Sequence, residues 1–348
     1  MLETLKSFSD RVLGRGAAAL TVPPLDGTMR PNNRLEDAPQ GIGAVAPDSL
    51  ALYGGKPTWS EGRRLMTADG QIAEAAGAIT ALASDGSRLA MAVAGHGVQV
   101  DGAGPQALGK LECVTALAFD DAGGLWIAIG STANAIDQWQ RDLLELRRTG
   151  RLLRYDLATG TSKVIAERLG YPNGLVRAPG GMIVSEAWEK RIVRVDAAGS
   201  LTALFSDLPG YPADIVQSAA GGYWLAVFAP RSPLIELVLR EPAYRRAMMR
   251  DVAPEYWIAP ALKSGHSFLE PMQGGALKQM GTLKPWAPTR SYGLVIEFSG
   301  DFTPLQSLHS RAGGRRHGVT SVLEHDGELW LTCQGGDEVL RIVPGGQT

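Results

Sequence analysis

The sequence predicts an all-β chain folded as a six-bladed β-propeller, with an N-terminal helix and short helical insertions. Three observations predict it. One pattern occurs six times: a small polar residue, an aliphatic residue two positions on, a turn that usually contains glycine, then a short apolar strand. Further short strands follow several of the copies. Finally, 43 glycines among 348 residues, with 45% hydrophobic and 20% charged residues, suit many turns between strands buried on both faces.

Before the first repeat, Leu2, Leu5, Phe8, Val12 and Leu13 recur at helical spacing and predict an amphipathic helix of about three turns. Glu3, Lys6, Asp10 and Arg11 interrupt the apolar residues, so this stretch is not read as a secretory signal. The helix is expected to pack on the body of the protein or to lie on a membrane surface. The repeats then begin at Asp48 (DSLALYGG), Thr80 (TALASDGSRLAMAV), Thr115 (TALAFDDAGGLWIAI), Asn173 (NGLVRAPGGMIVSE), Asp214 (DIVQSAAGGYWLAV) and Thr320 (TSVLEHDGELWLTC). In five of them the turn leads into a second apolar or β-prone run, forming a hairpin of two buried strands. Third strands follow in GRLLRYDL, RIVRVDAAG, GLVIEFSG and EVLRIVPGG. Meanders of four strands recurring about every 40 residues are the blades of a propeller.

The repeats are spaced by 32, 35, 58, 41 and 106 residues, so the two long intervals hold insertions. Residues 132–149 place Ile136, Trp139, Leu143 and Leu146 on one helical face. Residues 233–252 carry a second helical pattern broken at Pro242, and the insertion runs on to about residue 290. Both precede a third strand, which puts them on one face of the ring as a lid over its axis. The apolar run Leu234, Ile235, Leu237, Val238 and Leu239 could serve as a dimer contact, a lid or a membrane-facing patch. Too few residues follow Thr320 for four strands, so the N-terminal region around Ala17–Val22 is expected to supply the last one and close the ring. Residues 1–40 are thus the N-terminal helix and closure segment, and residues 41–348 the propeller, one unit where length alone would suggest two.

Composition excludes several functions. Thirty-four basic against 36 acidic residues give a formal charge of -2, which disfavours nucleic acid as a partner. Cys113 and Cys333 stand far apart, excluding a disulfide scaffold or a Cys-rich zinc module and pointing to a reducing, cytoplasmic setting. The chain has no apolar run of bilayer-spanning length. A homo-oligomer is compatible with all of this.

In a propeller the innermost strand of each blade lines the central channel, so a residue at one point of every repeat stands at one level around it. Asp48, Thr80, Thr115, Asn173, Asp214 and Thr320 should form such a ring, while Leu50, Leu82, Leu117, Leu175, Val216 and Val322 remain in the inter-blade core. Asp48, Asn173 and Asp214 are candidate hard-oxygen ligands for Ca²⁺, with another divalent cation as an alternative. Thr80, Thr115 and Thr320 are candidate substrate-binding residues that fill space or orient water. A second reading stands beside this one, in which the ring side chains cap turns and hold channel waters.

The segments TGRLLRYDLATG, GYPNGLVRAPGGMIVSEAWEKRIVRV, GYPADIVQSAAGGYWLAV and VTSVLEHDGELWL resemble the strictosidine synthase-like proteins over roughly residues 110–345. Those proteins belong to a superfamily of six-bladed propellers that includes the gluconolactonase and regucalcin group and the paraoxonases. The resemblance implies an axial calcium site in the hydrolytic relatives. Asp48 stands where they usually have Glu, Asn173 lies in their Pro-Asn-Gly, and Asp214 lies in their Pro-Asp segment. Thr115 replaces a frequent Asn, and Ala213-Asp214 replaces an Asp-Asn pair. Thr320 occupies the place of the base used by the alkaloid-forming plant enzymes, and a threonine cannot take that proton, so their condensation is not expected here.

His317, three residues before Thr320, is the candidate catalytic base, the alternative being a loop imidazole. Glu186 is the second catalytic candidate, at the channel mouth, or else a partner of Lys190 or Arg191. His96 and His325 fall in turns, while Trp126, Trp224 and Trp330 recur at one strand position and read as core. Neither a phosphate-binding loop nor a G-x-S-x-G elbow occurs. The expected function is metal-assisted hydrolysis of a small lactone or ester. The alternatives are a non-catalytic ligand-binding or scaffold propeller, and a lyase or condensing enzyme.

Overall fold

The computed structural model describes residues 22–101, 111–265, 267, 269–271 and 290–344, and the backbone alone of 278–279 and 282–283. The helix expected over residues 2–13 lies outside them. Among the described residues six antiparallel sheets of three or four strands follow one another, as the repeat predicts, and Lys278–Gln279 pairs with Thr282–Leu283 in a separate two-stranded sheet. Blade one is Pro47–Tyr53, Lys56–Glu61, Arg64–Thr67 and Gly70–Glu74; blade two, among the described residues, is Ile79–Ser84, Leu89–Val93 and Gly97–Val100. Blade three is Val114–Phe119, Gly124–Ile129, Gly150–Asp156 and Ser162–Leu169. Blade four is Pro172–Ala178, Gly181–Glu186, Arg191–Asp196 and Leu201–Phe205. Blade five is Gly210–Gln217, Tyr223–Pro230, Leu294–Phe298 and Pro304–His309. Blade six is Val319–His325, Glu328–Cys333 and Glu338–Ile342, completed by Ile42–Gly43. The first strands of successive blades touch all the way round, and that of blade six meets that of blade one.

That closing strand corrects the expectation. Ile42 pairs with Val339 and Gly43 with Glu338, so closure falls some twenty residues after the stretch around Ala17–Val22. The chain just before it is held by Arg316, whose buried guanidinium donates to the Leu35, Ala38 and Pro39 carbonyls and pairs with Glu338. Polar partners rather than apolar strand content fix the register there, which apolar patterning could not show.

Between blades the core is aliphatic and aromatic. Trp126, Trp224 and Trp330 are buried, as their shared position requires, and the first two donate their indole N–H to Asp120 and Glu324. The first insertion forms a 3₁₀ turn at Ile136–Gln138 and helix α1, Trp139–Leu144. The second forms α2, Pro233–Arg240, and α3, Pro242–Asp251, with Pro242 at the start of α3 where its missing N–H costs nothing. The insertions meet, since Gln140 Nε2 donates to the Pro260 carbonyl at 2.7 Å. The apolar run in α2 turns mainly inward. Ile235, Val238 and Leu239 are buried in the core cluster, and Leu237 keeps 40% of its surface.

One irregularity repeats in every blade. Pairing between the first and second strands skips a residue at Thr80, at Thr115, at Asn173 and at Thr320, and skips two at Asp48-Ser49 and at Ala213-Asp214. Each is a β-bulge whose unpaired residue includes the repeated polar one. In a regular strand, residues two apart share a face. The bulge is what lets the polar residue face the channel while the aliphatic residue two positions on stays in the core. In four blades the residue two before the ring position has positive φ: Ala46, Cys113, Tyr171 and Gly318. Three of these are not glycine, so the turn into the channel carries backbone strain that the surrounding blade must hold.

Candidate functional site

All six ring residues line one cavity of about 380 Å³ on the axis. Each is partly exposed, in contrast to the buried strands around it. Their side chains do two kinds of work. Thr80 Oγ1 donates to the Val114 carbonyl of blade three at 2.7 Å, and Thr115 Oγ1 to the Pro172 carbonyl of blade four. Asn173 Nδ2 donates to the Pro212 carbonyl of blade five at 3.3 Å, and Thr320 Oγ1 to the Asp48 carbonyl of blade one at 2.8 Å. The other two boundaries are bridged differently. Ser321 Oγ of blade six donates to Asp214 Oδ2, and Leu82 N–H of blade two donates to Ser49 Oγ at 3.0 Å. A hydrogen bond thus crosses every blade boundary beside the channel. Close packing helps: a Cβ on Gly174 would stand 2.4 Å from the Ala213 carbonyl oxygen, so the residue after Asn173 must be glycine for blades four and five to meet.

The two aspartates are set apart. Among the described residues neither forms an ion pair. Burial raises the Asp48 carboxyl from its usual 3.8 to about 6; the Thr320 hydroxyl opposes the shift and the Asp214 charge adds to it. Burial likewise raises Asp214 to about 6, against hydrogen bonds from Ser321 and from the Val322 and Ile215 amides. Two carboxyls in one cavity without a basic partner favour a cation. Asn173 has committed its N–H, leaving its amide oxygen as a third hard donor. Among the described residues no group of three His, Cys, Asp or Glu side chains stands together, so water or ligand oxygens would have to complete a Ca²⁺ or Mg²⁺ shell around Asp48, Asn173 and Asp214.

The two catalytic candidates lie elsewhere. His317 is buried and does not line the cavity; its Nε2–H donates to the Arg311 carbonyl at 2.8 Å, and its Nδ1 meets Ser291 Oγ at 2.7 Å. Burial lowers its pKa, opposed by the Arg311 hydrogen bond and by Glu36. Both ring nitrogens are engaged away from the axis, which corrects its assignment as the base. Glu186 is fully buried, accepting from the Gly170 N–H at 2.8 Å and pairing with Arg191 at 2.6 Å. It therefore serves as the ion-pair partner and not as an acid at the channel mouth.

Above the ring the wall is aromatic, formed by Trp139 of α1, Tyr171, Trp188 and Phe228. None of these follows from the repeat. A signal for one of them, Tyr171, was present in the duplicated Gly-Tyr-Pro of Gly170-Tyr171-Pro172 and Gly210-Tyr211-Pro212, whose tyrosines both pack against Trp188.

Comparison with known proteins agrees with this architecture. The strictosidine synthase family model matches residues 116–199. The human adipocyte plasma membrane-associated protein is 29% identical over 209 residues, covering 56% of this chain and 44% of that protein. Strictosidine synthase-like protein 13 of Arabidopsis thaliana is 31% identical over 125 residues, covering 34% of this chain and 31% of its own. The chain thus spans less than half the length of these curated relatives. Among solved structures, a gluconolactonase of Xanthomonas campestris aligns with a TM-score of 0.53 and 16% identity, over 87% of this chain and 88% of that one. A luciferin-regenerating enzyme aligns with a TM-score of 0.54 and 13% identity, over 88% and 94%. At such identities the structural likeness speaks for the fold. Among the described residues no helix is long and apolar enough to cross a membrane. The chain is a six-bladed β-propeller whose third and fourth blades carry a strictosidine synthase-like segment.

Proposed function

We propose that this protein hydrolyses a small lactone or ester in the axial cavity, with the help of a divalent cation. The observation that carries the proposal is the pair Asp48 and Asp214: two half-buried carboxyls facing one cavity with no basic partner among the described residues. Asp48, Asn173 and Asp214 would hold the ion, which when bound supplies Lewis-acid polarisation of a carbonyl and a more acidic water. A carboxylate oxygen of Asp48 or Asp214 not held by the ion would accept a proton from the attacking water. The aromatic wall limits competing water, and the inter-blade hydrogen bonds of Thr80, Thr115 and Thr320 keep the floor rigid. A cytoplasmic setting belongs to the same proposal and suits two buried, unpaired thiols.

A scaffold or ligand-binding propeller is the second reading, favoured by the use of four ring side chains as clasps. One experiment separates the two. Thermal melting with Ca²⁺ or a chelator, on wild type, Asp48→Ala and Asp214→Ala, is paired with turnover of a lactone and ester panel. The hydrolase predicts a Ca²⁺-dependent rise in Tm and turnover in wild type alone. A Ca²⁺-independent melt and a silent panel would leave the scaffold reading.

A further inference from the structure

The cavity wall above the carboxylates is uneven. Tyr171, Trp188 and Phe228 are buried against one another and against Tyr211, with Tyr171 and Trp188 centroids 4.4 Å apart and Tyr211 and Phe228 centroids 5.9 Å apart. Trp139 alone among the four aromatic lining residues remains half-buried, flanked by half-buried Ile136 and Leu262. Its position is fixed from three sides. The Phe228 ring meets it edge-on at 5.5 Å and 87°. Trp188, 6.4 Å away, donates its Nε1–H at 2.8 Å to Asp142, which lies on the same helix as Trp139. Gln140, the next residue, is the one that donates to Pro260 and joins the insertions. A half-buried indole held in place in the cavity lining is apolar area that a ligand would take out of water.

The Asp48 and Asp214 carboxylates on the floor can accept from ligand hydroxyls, but the aromatic wall offers a hydroxyl-rich ligand few partners. Around the floor the hydroxyl hydrogens of Thr80, Thr115 and Thr320 and an amide N–H of Asn173 are committed to main-chain carbonyls. On the wall the Trp188 N–H is taken by Asp142, and the Tyr171 hydroxyl sits 3.9 Å from Cys113 Sγ. Hydroxyls brought against this wall would leave water without equivalent partners. A flat apolar ring would lose nothing there.

We infer that Trp139 is the specificity-determining residue of this cavity, and that it selects ligands bearing a flat apolar ring opposite their carbonyl end over polyhydroxylated rings of similar size. The assignment of the carbonyl end rests on the proposed hydrolase; the ring preference is a binding property and is measured without turnover. Lactams, which keep the carbonyl but resist hydrolysis, are the probes: 2-pyrrolidinone, 5-phenyl-2-pyrrolidinone and the polyhydroxylated lactam of gluconic acid, titrated calorimetrically into the full-length protein. In wild type the phenyl lactam should bind at least about tenfold tighter than 2-pyrrolidinone, and the polyhydroxylated lactam no tighter than 2-pyrrolidinone. Trp139→Ala should reduce the phenyl advantage to about threefold or less, and Trp139→Phe, which restores a flat ring, should recover most of it. A phenyl lactam that fails to bind or shows no advantage in wild type, or an advantage that survives Trp139→Ala, overturns the inference. Ring preference with a silent ester panel removes the hydrolase and leaves this inference standing; turnover without ring preference does the reverse.

Discussion

Two sets of positions on one ring each stand at a bulge, with one residue skipped at Thr80, Thr115, Asn173 and Thr320 and two at Asp48-Ser49 and Ala213-Asp214, and they differ in chemistry. At Thr80, Thr115, Asn173 and Thr320 the side chain donates to the main chain of the next blade, and its hydrogen-bonding capacity is largely spent on holding the propeller together. At Asp48 and Asp214 the side chain can only accept, so it gives no hydrogen to the next blade and keeps carboxylate oxygen facing the cavity. A repeat therefore supplies the same geometry six times, and residue type decides whether a position clasps blades or meets a ligand. In this ring four side chains donate across a blade boundary, Asp214 accepts across one from Ser321, and both aspartates keep carboxylate oxygen in the cavity lining.

The sharpest way to break the comparison is to exchange the roles. Asp48→Asn or Asp214→Asn should lower kcat/KM on any ester the protein turns over by at least about 100-fold, the loss expected when a proton acceptor or metal ligand is removed. Thr115→Val should leave kcat/KM near its wild-type value. Equal losses from both kinds of variant would mean that the two sets do not divide the work.

The next effect is on stability. Thr80→Val or Thr115→Val leaves a carbonyl of the next blade without its donor and should cost roughly 1–3 kcal/mol in denaturant unfolding. Asp48→Asn should cost less, since the Thr320 hydroxyl keeps its bond to the Asp48 main-chain carbonyl. Unchanged midpoints for both threonine variants would remove the clasps from the account.

The smallest effect concerns pH in metal-free protein. Both aspartates are raised when folded, to about 6 from a usual 3.8, so between those values the folded state holds more protons than the unfolded one. Their contribution is then fully present below about pH 4 and is lost as pH rises through about 6. Asp48→Asn should flatten that decline, and Ca²⁺ should reverse it at neutral pH. A metal-free melting profile with no loss from this window would show that the pair is not strained by its own charge.

Much of the scaffold could be read from the chain. The spacing of Asp48, Thr80, Thr115, Asn173, Asp214 and Thr320 gave the blade count, and the long intervals after Thr115 and Asp214 marked the insertions that meet at Gln140 and Pro260. The position of His317 beside Thr320 suggested a catalytic base, because nearness in sequence looked like nearness to the axis. A turn between them instead sends the imidazole to Ser291 and Arg311. The aromatic wall was hidden for the opposite reason: Trp139, Tyr171, Trp188 and Phe228 come from separate segments and share no period.

The sequence by itself determined that polar residues recur at one level of a six-bladed ring, because a periodic chain stacks equivalent residues whatever the details of closure. Only the tertiary structure decided what each of them does. The bulges that turn them into the channel, the carbonyls that claim four of them, and the insertion that brings Trp139 into the same cavity lining all depend on contacts between distant blades. Those contacts form only when the ring closes, and no local pattern records them.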